Sequence, residues 1–235
     1  MALPVITAPK YQLTIPSTGK NIEYRPYLVK EEKILVLALE SENSNQMIRA
    51  IRDIINICTF KNVDANTLTI FDLEFVFLKL RAVSVGGSTS LKIKCVDCES
   101  YTEIDLNLDH VKIKGEMKSD VKIQLNDDVG VIMRYPTVKG TLLGANTADT
   151  DDYSTAISTI ASCIETIYDA ENTHSADAST KEELIDFIES LSQEQFAKIN
   201  TFFNDMPTLS HDVDFDCKSC GTNKTTTIKG LQSFF

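Results

Sequence analysis

The chain is poor in the residues and patterns that most catalysts and nucleic-acid binders carry. Its 235 residues hold three histidines and no tryptophan. No stretch approaches the roughly 20 apolar residues of a bilayer-crossing helix, so no membrane span is expected. Residues 1–10 lack a basic region followed by an apolar run, so no secretory signal is expected either. Lysines and arginines form no cluster, and 34 acidic against 23 basic residues leave a formal net charge of −11. A surface that repels phosphate lacks the basic footprint of a nucleic-acid binder and suits, if anything, a partner with a basic surface.

Enzymatic motifs are missing as well. Ser17-Thr18-Gly19-Lys20 ends like a phosphate loop, but the upstream glycine is absent and no helix follows directly. His110, His174 and His211 stand in unrelated contexts. Asp127-Asp128 and Asp151-Asp152 read as solvated loop charges. No nucleophile pairs with a base and no glycine-rich dinucleotide motif can be assembled, so the expectation is no enzymatic activity and no small-molecule substrate.

What is present suits a soluble globular protein of one large or two small domains, 43% hydrophobic and 24% charged. Residues 11–15 and 22–25 alternate around Pro16-Ser17-Thr18-Gly19-Lys20 and predict an N-terminal β-hairpin. Residues 30–40 are apolar almost all round and predict a buried helix. A second helix, with Ser44 as its cap, carries Met47, Ile51, Ile54, Ile55 and Cys58. A third starts near Thr69, runs through Phe71, Phe75, Leu78 and Ala82, and stops at Gly86-Gly87. Strand patterns occupy 91–94, 102–106, 121–125 and 129–134, with a turn at Asn126-Asp127-Asp128. Residues 138–152 read as a connecting loop. Tyr153, Ile157, Ile160, Ile164 and Ile167 then form one helical stripe, followed by a polar break at 171–178. Thr180 with Glu183, and Ser192 with Gln195, are capping boxes that open two more helices. The fold class is therefore α+β. Four regions are expected: 1–90, hairpin plus helices; 91–136, a β region; 137–208, a second helical block; and 209–235, packing back on 91–106.

Six cysteines remain to be placed. Cys58 and Cys163 fall singly on apolar helical stripes and read as small core residues. The other four form two Cys-x-x-Cys pairs, Cys95 with Cys98 and Cys217 with Cys220, each flanked by strand patterns. Strand, tight turn and strand make a zinc knuckle, and two knuckles supply the four thiolates of a tetrahedral structural Zn²⁺ site. Gly221 gives the second turn access to positive φ, which lets backbone amides face the sulfurs. Roughly 120 residues separate the pairs, against roughly 15–20 in ordinary zinc ribbons, so the fold must return the C-terminus to residues 95–98. Two unconnected pairs, or a site that has lost its metal, are the alternatives. A redox role is weaker, because neither pair lies where a strand feeds a helix. Catalytic zinc is weaker still, since four thiolates leave no position for water.

Beyond these patterns, Tyr11-Gln12-Leu13-Thr14-Ile15-Pro16-Ser17-Thr18-Gly19-Lys20 and the stretch from Glu23-Tyr24-Arg25-Pro26 to Leu35 resemble the baseplate hub proteins of T-even-type contractile-tailed bacteriophages. Residues 71–82, Met133-Arg134-Tyr135-Pro136, the paired cysteines and the phenylalanine-ended tail are similar too. The resemblance implies a non-enzymatic late protein of the tail baseplate hub. It would reside in the virion tail, or in the host cytoplasm during assembly, and its partners would be other hub or tail proteins. The hairpin followed by Arg25-Pro26 also looks loosely like tail assembly chaperones, which implies the tape-measure protein as an alternative partner. A zinc-ribbon nucleic-acid-binding factor is a more distant reading, opposed by the acidic charge. Contact surfaces are expected at residues 2–10 and at Leu231, Phe234 and Phe235.

Overall fold

A computed structural model of the chain describes residues 7–41, 43–118, 120–144 and 152–234. It is a mixed α+β protein in two compact units. Unit 1 takes the described residues of Met1–Ala65, Phe71–Lys114 and Thr208–Phe235; unit 2 takes those of Asn66–Ile70 and Gly115–Pro207.

Unit 1 opens with the expected hairpin, β1 (Tyr11–Thr14) on β2 (Asn21–Tyr24), antiparallel and in register. Ile15, Ile22 and Tyr24 are buried. The hairpin turn is anchored by the amide and hydroxyl of Ser17, which both donate to the buried carboxylate of Asp72. Helix α1 (Val29–Glu40) follows. Its buried Glu31 accepts from both terminal nitrogens of Arg25, at 3.0 and 3.1 Å, and from the Leu28 amide at 2.5 Å. Burial opposes ionisation of Glu31, but the bonds from Arg25 and Leu28 outweigh it and hold the carboxyl below its usual range.

The expectation that α1 is buried all round does not hold. Only Glu31, Leu35 and Ala38 are buried, and the opposite side of the helix is exposed. Nor is Ser44 the cap of the next helix. It is the first residue of α2 (Ser44–Cys58), and the side chain of Asn43 caps it, accepting from the amides of Asn45 and Gln46. Helix α3 (Ile70–Ser84) places Phe71, Leu73, Val76, Phe77, Leu78 and Leu80 in buried positions.

The rest of unit 1 is β-structure. Strands β3 (Ser88–Lys94) and β4 (Tyr101–Asn107) form one antiparallel hairpin. A short strand, β5 (Lys112–Lys114), pairs with residues 208–210 at the other end of the sequence. Those residues begin β10 (Thr208–Asp216), which also pairs with β11 (Asn223–Lys229), giving the order β11-β10-β5. The closing 3-10 turn Leu231–Phe234 buries Leu231 and Phe234. The amide of Leu231 donates to Glu74 at 3.2 Å. The expected contact residues at 2–6 and Phe235 lie outside the described residues.

Unit 2 is a four-stranded antiparallel sheet, order β6-β7-β8-β9, with four helices. The strands are β6 (Val121–Gln124), β7 (Gly130–Met133), β8 (Ile164–Tyr168) and β9 (Thr173–Ser175). The helices are α4 (Val138–Gly144), α5 (Asp152–Cys163), α6 (Lys181–Glu189) and α7 (Gln193–Asn204). Leu125, Val131, Met133, Ile157, Ile160, Cys163, Ile164, Ile199 and Phe202 belong to its core. Both expected capping boxes are formed, Thr180 with Glu183 and Ser192 with Gln195.

Two expectations fail in this unit. Residues 138–144 of the expected loop are helix α4, and residues 145–151 lie outside the described residues. Gly140 misleads because it reads as a loop residue, yet here it serves close packing. A Cβ at that position would lie 2.8 Å from Ser162 Oγ of α5. The helical stripe of isoleucines also stops early. Helix α5 ends at Cys163, and Ile164-Glu165-Thr166-Ile167-Tyr168 becomes β8, because β-branched side chains fit the pleated, half-buried sheet surface.

Candidate metal centre

The two Cys-x-x-Cys segments are the turns of two hairpins, β3–β4 and β10–β11. Their local structures match bond for bond. In the first, the Cys95 amide donates to the Ser100 carbonyl at 2.8 Å and the Glu99 amide to the Cys95 carbonyl at 2.9 Å. In the second, the Cys217 amide donates to Thr222 at 3.0 Å and Gly221 to Cys217 at 2.8 Å. The fifth residue of each turn is left-handed: Gly221 with φ 71°, and Glu99 with φ 58° where a glycine was not needed. This geometry turns the amides of Asp97 and Cys98 toward the Cys95 sulfur, and those of Ser219 and Cys220 toward Cys217.

The turns meet, and the four sulfurs of Cys95, Cys98, Cys217 and Cys220 lie within 4.8 Å of one another. The Cys95–Cys220 sulfur distance is 3.8 Å and Cys98–Cys217 is 3.5 Å. A tetrahedral zinc site with bonds of about 2.3 Å has sulfur–sulfur edges of about 3.8 Å, so the arrangement fits such an ion. Cys95 and Cys217 are buried, while Cys98 and Cys220 are exposed. Phe215, Ile93 and Ile104 pack on the buried pair.

Electrostatics prepares the sulfurs of the second pair for a cation, whereas the Cys95 thiol is raised, its facing amides outweighed by burial and by the neighbouring thiols of Cys217 and Cys98. The Ser100 hydroxyl and the amides of Cys220 and Ser219 pull the Cys217 thiol down to about 5. The hydroxyl and amide of Thr222 lower Cys220. Thiolates rather than thiols bind metal, so these bonds favour the ligating form. Ser100 and Thr222 are functional neighbours that the sequence reading missed. Their signal is local: each lies two residues beyond its second cysteine, giving Cys-x-x-Cys-x-Ser/Thr in both halves. Further contacts bind the halves together. Lys218 donates its amide to the buried Thr102 hydroxyl at 3.3 Å, and Lys224 pairs with Asp97 at 2.9 Å.

The remaining candidates take no part. Cys58 and Cys163 are fully buried, and burial raises their thiols to about 11 and about 12, as inert core residues require. His211 lies beside the ring of His110, with centroids 6.2 Å apart. Among the described residues, the four cysteines are the single group of metal-type ligands found together. No described helix is long and apolar enough to cross a membrane.

Fold and site together define an α+β protein in which two knuckles, far apart in sequence, build one centre able to hold a metal ion. A family model described as T4 bacteriophage base plate protein matches residues 8–235, and the chain belongs to that family. Membership places it among the structural proteins of the phage tail. No curated protein and no solved structure matches the chain.

Proposed function

We propose that this chain is a non-enzymatic subunit of the baseplate hub, acting through protein–protein contacts, with Cys95, Cys98, Cys217 and Cys220 holding one structural Zn²⁺. The convergence of four sulfurs within 4.8 Å carries the metal reading, and family membership supports the baseplate role. Four thiolates complete a tetrahedron and leave no position for water, which favours a structural ion over a catalytic one. Energetics agree. Closing a loop of this length costs a few kcal/mol, whereas a structural zinc site contributes about 10 kcal/mol or more.

Elemental analysis of the purified chain tests the metal, with about one zinc per chain expected. Stoichiometry near zero, with all six thiols titratable in the native protein, overturns it. Copurification from phage-infected cells tests the role. Recovery with hub proteins is the expected result; recovery with the tape-measure protein alone would replace the hub reading with that of an assembly chaperone.

A further inference from the structure

Helix α1 carries a face with no partner among the described residues. Leu35, Ala38 and Glu31 turn inward. On the other side Val29 is 82% exposed, Val36 46% and Leu37 56%. Isolated exposed aliphatic residues need no explanation, but three large ones on one side of a twelve-residue helix form a patch of the kind that marks an interaction site.

The charges on this face identify what covers it. Val29, Lys33, Val36, Leu37 and Glu40 recur at three- and four-residue spacing, so they share the side of the helix opposite its buried stripe. Lys33 and Glu40 are exposed and make no ion pair among the described residues. The order gains nothing from the helix dipole either, since Glu40 stands at the carboxyl end, where a cation is preferred, and Lys33 lies beyond the first turn. Nothing within the helix rewards that order. An antiparallel copy of the same helix does. A two-fold axis between Val36 and Leu37 sets Lys33 of each copy opposite Glu40 of the other, and Val36 against Leu37 at the centre. The face is self-complementary, which is what an isologous contact requires.

We infer that α1 is a homodimerisation surface on which two chains pair their α1 helices antiparallel through Val36 and Leu37, in a register fixed by reciprocal Lys33–Glu40 ion pairs. One helix pair is a small interface, below the roughly 1,200 Å² of a standard complex, so the dimer forms reversibly as concentration rises. The inference concerns self-association and stands whether or not the four cysteines hold zinc.

Sedimentation velocity of the full-length, metal-replete chain over a concentration series reads the effect. The parent protein is expected to shift from monomer to dimer. Leu37→Glu should hold it monomeric, and an unchanged circular dichroism spectrum would show that the helix is intact. Lys33→Glu alone should weaken association at least about tenfold, because it places like charges opposite each other twice. The double variant Lys33→Glu with Glu40→Lys should return to within about threefold of the parent, since the reciprocal pairs are restored with reversed sign. A parent that stays monomeric throughout, or a double variant as weak as the single one, overturns the proposal. Parent monomers that bind another tail protein through the same residues would assign the face to that partner instead.

Discussion

Unit 2 gathers thirteen buried residues into one apolar core around Met133 and Ile164, whereas the cluster between the two knuckles of unit 1 has three, and two of those are cysteines. Cysteine itself shows what the difference means. In unit 2, Cys163 is packed among aliphatic side chains, its thiol raised to about 12 by burial, and it serves as a small apolar residue. Between the knuckles, Cys217 is ringed by a hydroxyl and two amides and drawn down to about 5. Where the sequence supplies enough aliphatic surface, burial alone holds the chain and a thiol stays silent. Where two thin hairpins meet with little to bury, the proposed metal site would supply what burial does not.

Three experiments try to break this contrast. The largest effect is expected from Cys217→Ser. If the four cysteines hold zinc as proposed, loss of one ligand should abolish metal binding and, because such a site contributes about 10 kcal/mol, open both knuckles. Hydrogen exchange should rise across 91–104 and 213–228. Residues 208–210 should stay protected, since buried Leu209 and Phe234 and the pairing of β10 with β5 do not depend on the metal. The amides of α5 and β8 should also be unaffected, and equal deprotection there would erase the distinction between the regions.

Ile164→Ala is the converse. It removes a fully buried side chain from the unit 2 core and should cost about 2–5 kcal/mol in denaturant unfolding. Metal stoichiometry should not change, and loss of zinc in this variant would show that the knuckles depend on the aliphatic core.

The smallest effect sharpens the comparison at Glu74 in unit 1. Desolvation raises its carboxyl above the usual value, although the Leu231 amide opposes this. The folded chain therefore holds the Glu74 proton more tightly than the unfolded chain. That contribution to stability is complete below the unfolded value of 4.5 and is lost as pH rises through the elevated folded value. Glu74→Gln keeps an oxygen to accept from Leu231 and removes the charge. It should raise stability at neutral pH by less than about 2 kcal/mol and flatten the stability profile above pH 4.5. An unchanged profile in thermal melts across that range would show that Glu74 is not the group responsible.

Much of this was legible in the residues, for reasons that are themselves physical. Thr180 with Glu183 and Ser192 with Gln195 are local devices, complete within four residues, and both formed as read. The Cys-x-x-Cys turns are equally local, so each half of the centre could be recognised without its partner. The failures came where a long-range neighbour decides. Ile164 and Ile167 keep helical spacing with Ile157 and Ile160, but pairing with β7 makes them strand. Gly140 is helical because α5 must approach it closely. The apolar run of α1 carries no mark of how much of it the same chain covers, so burial was overestimated there. The pairing of Thr208–Ser210 with β5 has no local signal either, because its partner lies near residue 113.

The distance between the knuckles along the chain also sets a clock. Cys98 and Cys217 are 119 residues apart. At a synthesis rate of roughly 5–20 residues per second, the first knuckle is made about 6–24 seconds before its counterpart. During that interval Cys95 and Cys98 are two free thiols on a two-stranded hairpin, while most of unit 2, lying between the knuckles in sequence, is being made and can fold. Closure of unit 1 is therefore a late event of synthesis. A nascent chain cut short before Cys220 would carry a finished middle and unjoined ends, and so would be the form most exposed to thiol oxidation and proteolysis in the infected cell.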